Sequence, residues 1–235
     1  MALPKLDTPN YSCVLPTLNK TVYYRPFLVG EQKVLLIAQE SEDSKLQVRE
    51  MMRLIDLCCD EVDIKTLPTS DLEYLFLQLR IKSIGETSDI LIPCEKCETD
   101  NPVSLNLEDA KVIEHENKVS NIIKLTDSVS IELQWPSYNM IEGLSLDEEL
   151  KTQEMFGLMA DCIVSVIEGD EIHTRDDFTR KELIIFFDSM SLIMFDDVQK
   201  FFNSQPALTL DVVFDCSDCG VHNKQSMAGV GNFFV

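Results

Sequence analysis

The spacing of apolar and polar positions changes several times along the chain, and each change predicts an element. Tyr11–Leu15 and Thr21–Arg25 carry β-branched and aromatic residues on either side of the turn-like Pro16-Thr-Leu-Asn-Lys20, which predicts an N-terminal hairpin ended by Pro26. From about Glu31 to Ser41, Val34, Ile37 and Ala38 recur at helical spacing with Leu35 and Leu36 beside them, and predict a buried helix. A second helix is expected after Ser41-Glu-Asp-Ser44, running to about Cys59 with Leu46, Met51, Leu54, Ile55 and Cys58 toward a core. Asp60–Pro68 reads as a linker. Ser70-x-x-Glu73 has the form of a capping box and opens a helix to about Ile84, with Leu72, Leu75, Phe76 and Leu79 on one face and Gly85 at its end.

Farther on, Val103, Leu105 and Leu107 alternate as a strand, and Lys111–Lys118 reads as a loop. Ile122–Leu125 and Val129–Trp135 predict a second hairpin, with Val129, Ile131, Leu133 and Trp135 on one face. Ser145-x-x-Glu148 is a second capping box. It is expected to open a helix reaching Glu168 through Met155, Phe156, Met159, Cys162, Ile163, Val166 and Ile167. Thr179-x-x-Glu182 is the third, with Phe178 and Leu183 placed as a hydrophobic staple. A last helix from about Ser191 to Asn203 is followed by Pro206, the strand Leu208–Phe214 and an apolar ending at Phe233-Phe-Val235. That ending either docks on the core or is offered to another subunit.

Length and composition narrow the class. The 235 residues are 45% hydrophobic, enough to bury a substantial core in one large or two small domains. No run of eighteen apolar residues occurs and no basic-then-apolar start, so neither a membrane span nor a secretory signal is expected. The eight cysteines include the adjacent pair Cys58-Cys59 and do not form a secreted disulfide framework; a reducing cytoplasm is the expected setting. The formal net charge of −21 repels nucleic acid in the absence of a local basic patch. From Glu142 to Asp177 the basic residues are Lys151 and Arg175 alone, which makes this the most acidic stretch, a solvated face or a patch that steers a basic partner.

Two equal spacings carry the chemistry. Cys94-x-x-Cys97 and Cys216-x-x-Cys219 each follow an apolar run and lead into a polar turn. Two residues between cysteines let both thiolates face one metal, and two such knuckles supply the four ligands of a closed tetrahedral zinc site. The stretch between them exceeds the loop of an ordinary zinc ribbon, so a ribbon interrupted by an inserted subdomain is expected. A redox dithiol would open a helix, whereas both pairs lie between strand-like runs. Gly220 suits the positive φ of a knuckle turn; Glu98 stands at the equivalent place in the first knuckle.

No catalytic residue and no organic cofactor site is legible. His115, His173 and His222 are each expected in a loop or turn, outside any nucleophile–base pattern, and His222 is the one alternative zinc ligand. No phosphate-binding glycine motif and no H-E-x-x-H occurs. Asp176-Asp177 and Asp196-Asp197 are read as helix-start acids in preference to a Mg²⁺ site.

Several segments taken in order resemble the baseplate hub assembly family of T-even-type contractile-tailed phages. They are Met1-Ala-Leu-Pro-Lys-Leu-Asp-Thr-Pro-Asn-Tyr11, Tyr24-Arg-Pro-Phe-Leu-Val29, Leu67-Pro-Thr-Ser-Asp-Leu-Glu-Tyr-Leu-Phe-Leu-Gln-Leu-Arg80 with Lys82-Ser-Ile-Gly-Glu86, both knuckles, and Gly231-Asn-Phe-Phe234. The resemblance implies a non-enzymatic virion-assembly protein, a hub subunit or a chaperone-like factor, acting with other baseplate hub proteins. It places the protein in the host cytoplasm during assembly or in the virion tail. Family site residues carry over only onto the metal ligands Cys94, Cys97, Cys216 and Cys219.

The expected fold is α+β: helical segments with β-hairpins and a zinc-ribbon-like unit built from the two distant knuckles. Its parts are an N-terminal hairpin plus three-helix region over 1–86, ribbon halves at 87–110 and 206–229, an inserted hairpin plus helical subdomain over 111–205, and an apolar tail at 230–235. The expected cofactor is structural Zn²⁺, and membrane, nucleic acid and small-molecule substrate are not expected as partners. Two other functions fit the zinc pattern: a zinc-ribbon nucleic-acid or transcription-machinery module, which the charge opposes, and a metal-dependent hydrolase, which four protein ligands oppose.

Overall fold

In a computed structural model of the chain, residues 6–40, 44–114, 119–141, 152–229 and 231 are described. In chain order the elements are β1 (Tyr11–Val14), β2 (Thr21–Tyr24), α1 (Val29–Glu40), α2 (Ser44–Cys58), β3 (Cys59–Asp60), α3 (Thr69–Ser83), β4 (Thr87–Pro93), β5 (Asp100–Asn106), β6 (Lys111–Ile113), β7 (Ile122–Lys124), β8 (Val129–Leu133), α4 (Tyr138–Ile141), α5 (Thr152–Asp161), β9 (Ile163–Glu168), β10 (Glu171–Thr174), α6 (Arg180–Asp188), α7 (Leu192–Asn203), β11 (Ala207–Asp215) and β12 (His222–Ala228). Helices and antiparallel sheets make the protein α+β. The chain divides into two units: Met1–Ile64 with Ser70–Ile113 and Pro206–Val235, and Lys65–Thr69 with Glu114–Gln205.

In the first unit, β1 and β2 form the expected hairpin, in register from Tyr11 opposite Tyr24 to Val14 opposite Thr21. Its turn is pinned from a distance: the fully buried Asp71 carboxylate accepts from the Thr17 and Leu18 N–H groups at 2.8 and 3.1 Å. Ser70 Oγ lies 3.1 Å from Thr17 Oγ1. Ser70 and Asp71 therefore sit inside α3, which starts at Thr69, and the Ser70–Glu73 capping box does not form. The hairpin's demand for buried acceptors outcompetes the local cap. Part of the expected 60–68 linker is also structured, because Cys59–Asp60 pairs with Tyr23–Tyr24 as a third strand.

Helix α1 overturns the expectation of a buried helix. Val34, Leu36 and Ile37 are 42, 50 and 56% exposed. Consecutive apolar residues wrap most of a helix's circumference, and a helix packed on one side buries only one stripe. Helix α3 is the opposite case: Leu72, Leu75 and Leu79 are buried, and so are Leu77 and Ile81. Leu77 and Ile81 join Ile90, Ile92, Leu105, Leu107, Leu208, Leu210 and Val212 in one apolar cluster, which packs α3 against the β4–β5 and β11 strands. The expected loop from Lys111 begins instead as strand β6, whose Lys111–Ile113 pairs with Ala207–Thr209.

Arg25, at the end of the hairpin, reaches Glu31 at the start of α1 with two bonds of 2.7 and 3.0 Å. The Arg25 guanidinium holds the Glu31 carboxyl below its ordinary range; partial burial opposes this and the Leu28 N–H, 2.7 Å away, reinforces it. A carboxyl depressed on folding contributes stability above its unfolded pKa of about 4.3, and that contribution disappears as pH falls through the folded value. The stability difference between wild type and Glu31→Gln is therefore expected to shrink from pH 7 to pH 3 in urea titrations. A constant difference would refute the assignment.

In the second unit, β10-β9-β8-β7 form an antiparallel four-stranded sheet. The expected hairpin 122–135 is present as β7 and β8. The helix expected to reach Glu168 is not: α5 stops at Asp161, and Ile163–Glu168 is a central strand between β8 and β10. The β-branched run Ile163-Val-Ser-Val-Ile167 fits a pleated sheet, and β8 supplies the partner that fixes it. The capping box at Ser145 and Glu148 lies outside the described residues, as do the tail positions 230 and 232–235. The Thr179 box forms as read: Thr179 Oγ1 accepts from the Glu182 N–H, and the Glu182 carboxylate accepts from the Thr179 N–H at 2.7 Å. Helices α5, α6 and α7 bury Met159, Leu183, Phe187, Val198 and Phe201 with Ile131 and Leu133 of the sheet. Trp135 stacks on Phe201, with ring centroids 5.8 Å apart and planes inclined by 7°.

Candidate metal centre

Each Cys-x-x-Cys forms the tip of a hairpin, one between β4 and β5, the other between β11 and β12. The tips repeat each other bond for bond. Cys94 N–H donates to Thr99 C=O at 3.0 Å, and Glu98 N–H to Cys94 C=O at 2.9 Å. In the second tip, Cys216 N–H donates to Val221 C=O at 2.9 Å and Gly220 N–H to Cys216 C=O at 3.0 Å. The residue after each second cysteine has positive φ, +60° at Glu98 and +68° at Gly220. A glycine adopts this freely, while a glutamate does so at a cost of roughly 1–2 kcal/mol. The first tip thus has the same turn as the second despite lacking its glycine.

The tips meet head to head. The four sulfurs all lie within 4.8 Å of one another. Cys94 Sγ is 3.7 Å from Cys219 Sγ, and Cys97 Sγ is 3.5 Å from Cys216 Sγ, so each tip's first cysteine faces the other's second. Four sulfurs at about 2.3 Å from a tetrahedral ion stand about 3.8 Å apart, and a disulfide needs about 2.05 Å, so the spacing fits a shared ion. Cys94 and Cys216 are buried, Cys97 is half-buried and Cys219 is exposed.

The protonation chemistry separates Cys94 and Cys216 from the other thiols. N–H groups of Lys96 and Cys97 aimed at its sulfur lower the Cys94 pKa, and those of Cys219 and Asp218 bring Cys216 down to about 6. At Cys219 the Val221 N–H is outweighed by desolvation at the sulfur cluster and by the three neighbouring sulfurs, which push the thiol up to about 12. A cation among the sulfurs removes that competition, because it favours every thiolate at once. Away from the cluster, burial raises Cys13 and Cys58 to about 11 and Cys59 and Cys162 to about 12, so these behave as neutral apolar fillers. The four clustered cysteines could therefore hold a metal ion.

Two asparagines lock the tips together. Asn101 is 3% exposed and Asn223 is 1% exposed. The Nδ2 of each donates into its own tip, Asn101 to Thr99 C=O at 2.7 Å and Asn223 to Val221 C=O at 2.9 Å. The Oδ1 of each accepts from the opposite tip, from Ser217 N–H at 2.8 Å and from Glu95 N–H at 3.1 Å. Asn101 Nδ2 also lies 3.8 Å from Cys216 Sγ. This reciprocal brace was not read from the sequence, yet its signal is present: both knuckles continue as C-x-x-C-x-x-x-N.

Each asparagine makes one bond within its tip and one across to the other, at a net of roughly 0.5–1.5 kcal/mol apiece, so removing one costs about 1–3 kcal/mol. Asn101→Ala and Asn223→Ala are each expected to destabilise the protein by that amount. Combined, they should deviate from additivity by more than about 0.5 kcal/mol. Denaturant unfolding of the two single variants and the double variant checks this; strict additivity would show that the two residues do not act as a brace.

The other candidate residues fall elsewhere. His222 starts β12, and its Nδ1 lies 2.8 Å from Asp215 Oδ1, apart from the sulfur cluster. His173 is on strand β10, against the expected loop, and His115 is outside the described residues. The Asp177 carboxylate accepts from Thr174 N–H at 2.7 Å. Asp196 and Asp197 each lie 2.8 Å from Lys200 Nζ. Among the described residues no helix is long and apolar enough to cross a membrane.

A family model described as T4 bacteriophage base plate protein matches residues 8–235. No curated protein and no solved structure matches the chain.

Proposed function

The chain belongs to the T4 bacteriophage base plate protein family, and we propose that it acts there as a non-enzymatic hub assembly protein, a hub subunit or a chaperone-like assembly factor. Membership implies a component of the virion tail and contact with other phage structural proteins. The finer reading is that its partners are the other baseplate hub proteins and that it meets them in the host cytoplasm while the tail is built. The observation that supports this most is a match over nearly the whole chain, joined to four clustered cysteines that could hold a metal ion.

Cys94, Cys97, Cys216 and Cys219 would hold a Zn²⁺ with all four positions taken by sulfur, as in a zinc ribbon split by an insertion. Such an ion ties two distant hairpins and supplies folding energy; it offers no coordination position to a substrate or water. Asn101 and Asn223 hold the tips in register, and the backbone N–H groups stabilise the thiolates. The net charge of −21 suits basic protein partners.

A phage carrying a deletion of this gene tests the reading. Tail-less particles are expected, with the tagged protein recovering hub proteins from infected-cell lysate, and normal tails would overturn it. Mass spectrometry of purified virions beside lysate separates the two forms of the proposal, since a subunit persists in the particle and an assembly factor does not.

A further inference from the structure

Hydrogen bonds fix which way the backbone of β11 faces. In an antiparallel pair, residues alternate between bonding the partner strand and pointing N–H and C=O away from it. Cys216 N–H donates to Val221 C=O and Gly229 N–H to Leu208 C=O, each at 2.9 Å, so the even-numbered residues of β11 bond β12. Thr209, Asp211, Val213 and Asp215 point their groups to the opposite side. Strand β6 meets that side only at Ala207–Thr209, because the 3₁₀ turn Leu107–Asp109 carries the preceding chain out of the ladder. Among the described residues, the outward backbone groups of Asp211, Val213 and Asp215 have no hydrogen-bond partner. The side chains of the same three residues share the solvent face, with Val213 54% exposed between two exposed aspartates.

The corresponding edge of the first hairpin is obstructed. The bond from Cys94 N–H to Thr99 C=O sets the outward positions of β4 at Thr87, Asp89, Leu91 and Pro93. Pro93 has no N–H, its C=O accepts from Gln225 Nε2 at 3.0 Å, and Thr87 C=O accepts from Arg80 Nη2 at 3.2 Å. On β5, Pro102 stands at an outward position opposite Leu91. Prolines of this kind blunt an open edge, and β11 carries none. Charge selects what fits there. A second copy pairing β11 with β11 around Val213 sets Asp211 opposite Asp215 twice, and like charges directly opposite are destabilising. A strand with Lys or Arg two positions to either side of an apolar residue sets a cation opposite each aspartate.

We propose that the β11 edge is a strand-addition site for an extended segment of another tail protein, one in which an apolar residue is flanked two positions away on each side by Lys or Arg. The segment continues the line of β6, bonds the outward groups of Asp211, Val213 and Asp215, packs its apolar residue beside Val213 and pairs its cations with the two carboxylates. Main-chain bonds supply the affinity and the alternate side chains the choice of partner. This rests on the protein–protein role given above and supplies a surface for it.

Two peptides titrated into the isotope-labelled full chain test it: Thr-Lys-Thr-Val-Thr-Lys-Thr and its counterpart with Glu in place of Lys. The lysine peptide is expected to shift the Val213 amide resonance, to bind at least about fivefold more tightly than the glutamate peptide, and to weaken as salt rises. Val213→Pro removes the outward donor without touching a bond to β12, so it should keep the wild-type urea midpoint and bind the lysine peptide about tenfold more weakly. Asp211→Lys should erase the preference for lysine over glutamate, and it decides the matter if Val213→Pro does not fold. Equal binding of the two peptides, no binding, or shifts that leave β11 unmoved would overturn the proposal. So would a wild-type dimer that Val213→Pro dissolves, which places a second copy on this edge. Failure here leaves the tail-less phenotype of the deletion standing, and normal tails from that deletion leave peptide binding standing.

Discussion

Cys216→Ser is expected to lose the ion and the folded first unit together. Cys216 is 4% exposed, faces Cys97 at 3.5 Å and receives N–H groups from Asp218 and Cys219. Serine at this position is a neutral hydroxyl at any physiological pH and cannot complete the thiolate set. Structural zinc contributes on the order of 10–16 kcal/mol in small zinc domains, comparable to the roughly 5–15 kcal/mol of net stability typical of a whole protein. Elemental analysis should give one zinc per wild-type chain and none for the variant, with the variant recovered mainly in the insoluble fraction. Chelation of the wild type should reproduce this, and cobalt should restore folding with the spectrum of a tetrahedral thiolate site. A soluble, cooperatively folding Cys216→Ser protein without metal would remove the ion from any role in the fold.

Phe201→Ala should cost the second unit about 3–5 kcal/mol, the range for deleting a buried aromatic ring. Phe201 is 2% exposed, stacks on Trp135 and meets Phe202 edge-on with centroids 5.4 Å apart. Its loss opens a cavity among α7, β8 and the tryptophan, around which a close-packed interior relaxes only in part. Trp135 is the single tryptophan in the chain, so its fluorescence follows unfolding of this unit directly. Urea titration should show a lower midpoint at an unchanged slope. Ile193→Ala, at a position 80% exposed on the same helix, should change stability by less than about 0.5 kcal/mol. Equal effects from the two variants would mean that the apolar cluster is not what holds α7.

The elements legible beforehand are those whose signal lies within a few neighbouring residues. The hairpin 11–24, the capped helix after Thr179 and the cysteine pairs each depend on contacts inside one short segment. Where a helical spacing and a strand-like composition fell on the same residues, the reading went astray. Cys162, Ile163, Val166 and Ile167 satisfy a helical spacing, yet the run Ile163-Val-Ser-Val-Ile167 is β-branched, and the neighbouring strand β8 selected the strand. Ser70-x-x-Glu73 is a sound local cap that a contact with Thr17 displaced. Lys111–Ile113 has no strand signal of its own and becomes one by pairing with Ala207–Thr209.

The candidate metal site divides along the same line. Spacing alone established which cysteines could share an ion, because two residues between thiols is a local geometric condition. It said nothing of how the tips are brought together. That was decided by the shared apolar cluster beneath β4, β5 and β11, and by Asn101 and Asn223, whose Oδ1 atoms bond to residues remote in the chain. Sequence by itself determined the first hairpin, the Thr179 cap and which four cysteines could share an ion. Tertiary structure decided which apolar faces are covered, which ambiguous runs become strands and which polar groups serve as braces, because burial and hydrogen-bond partners exist only once distant segments have met.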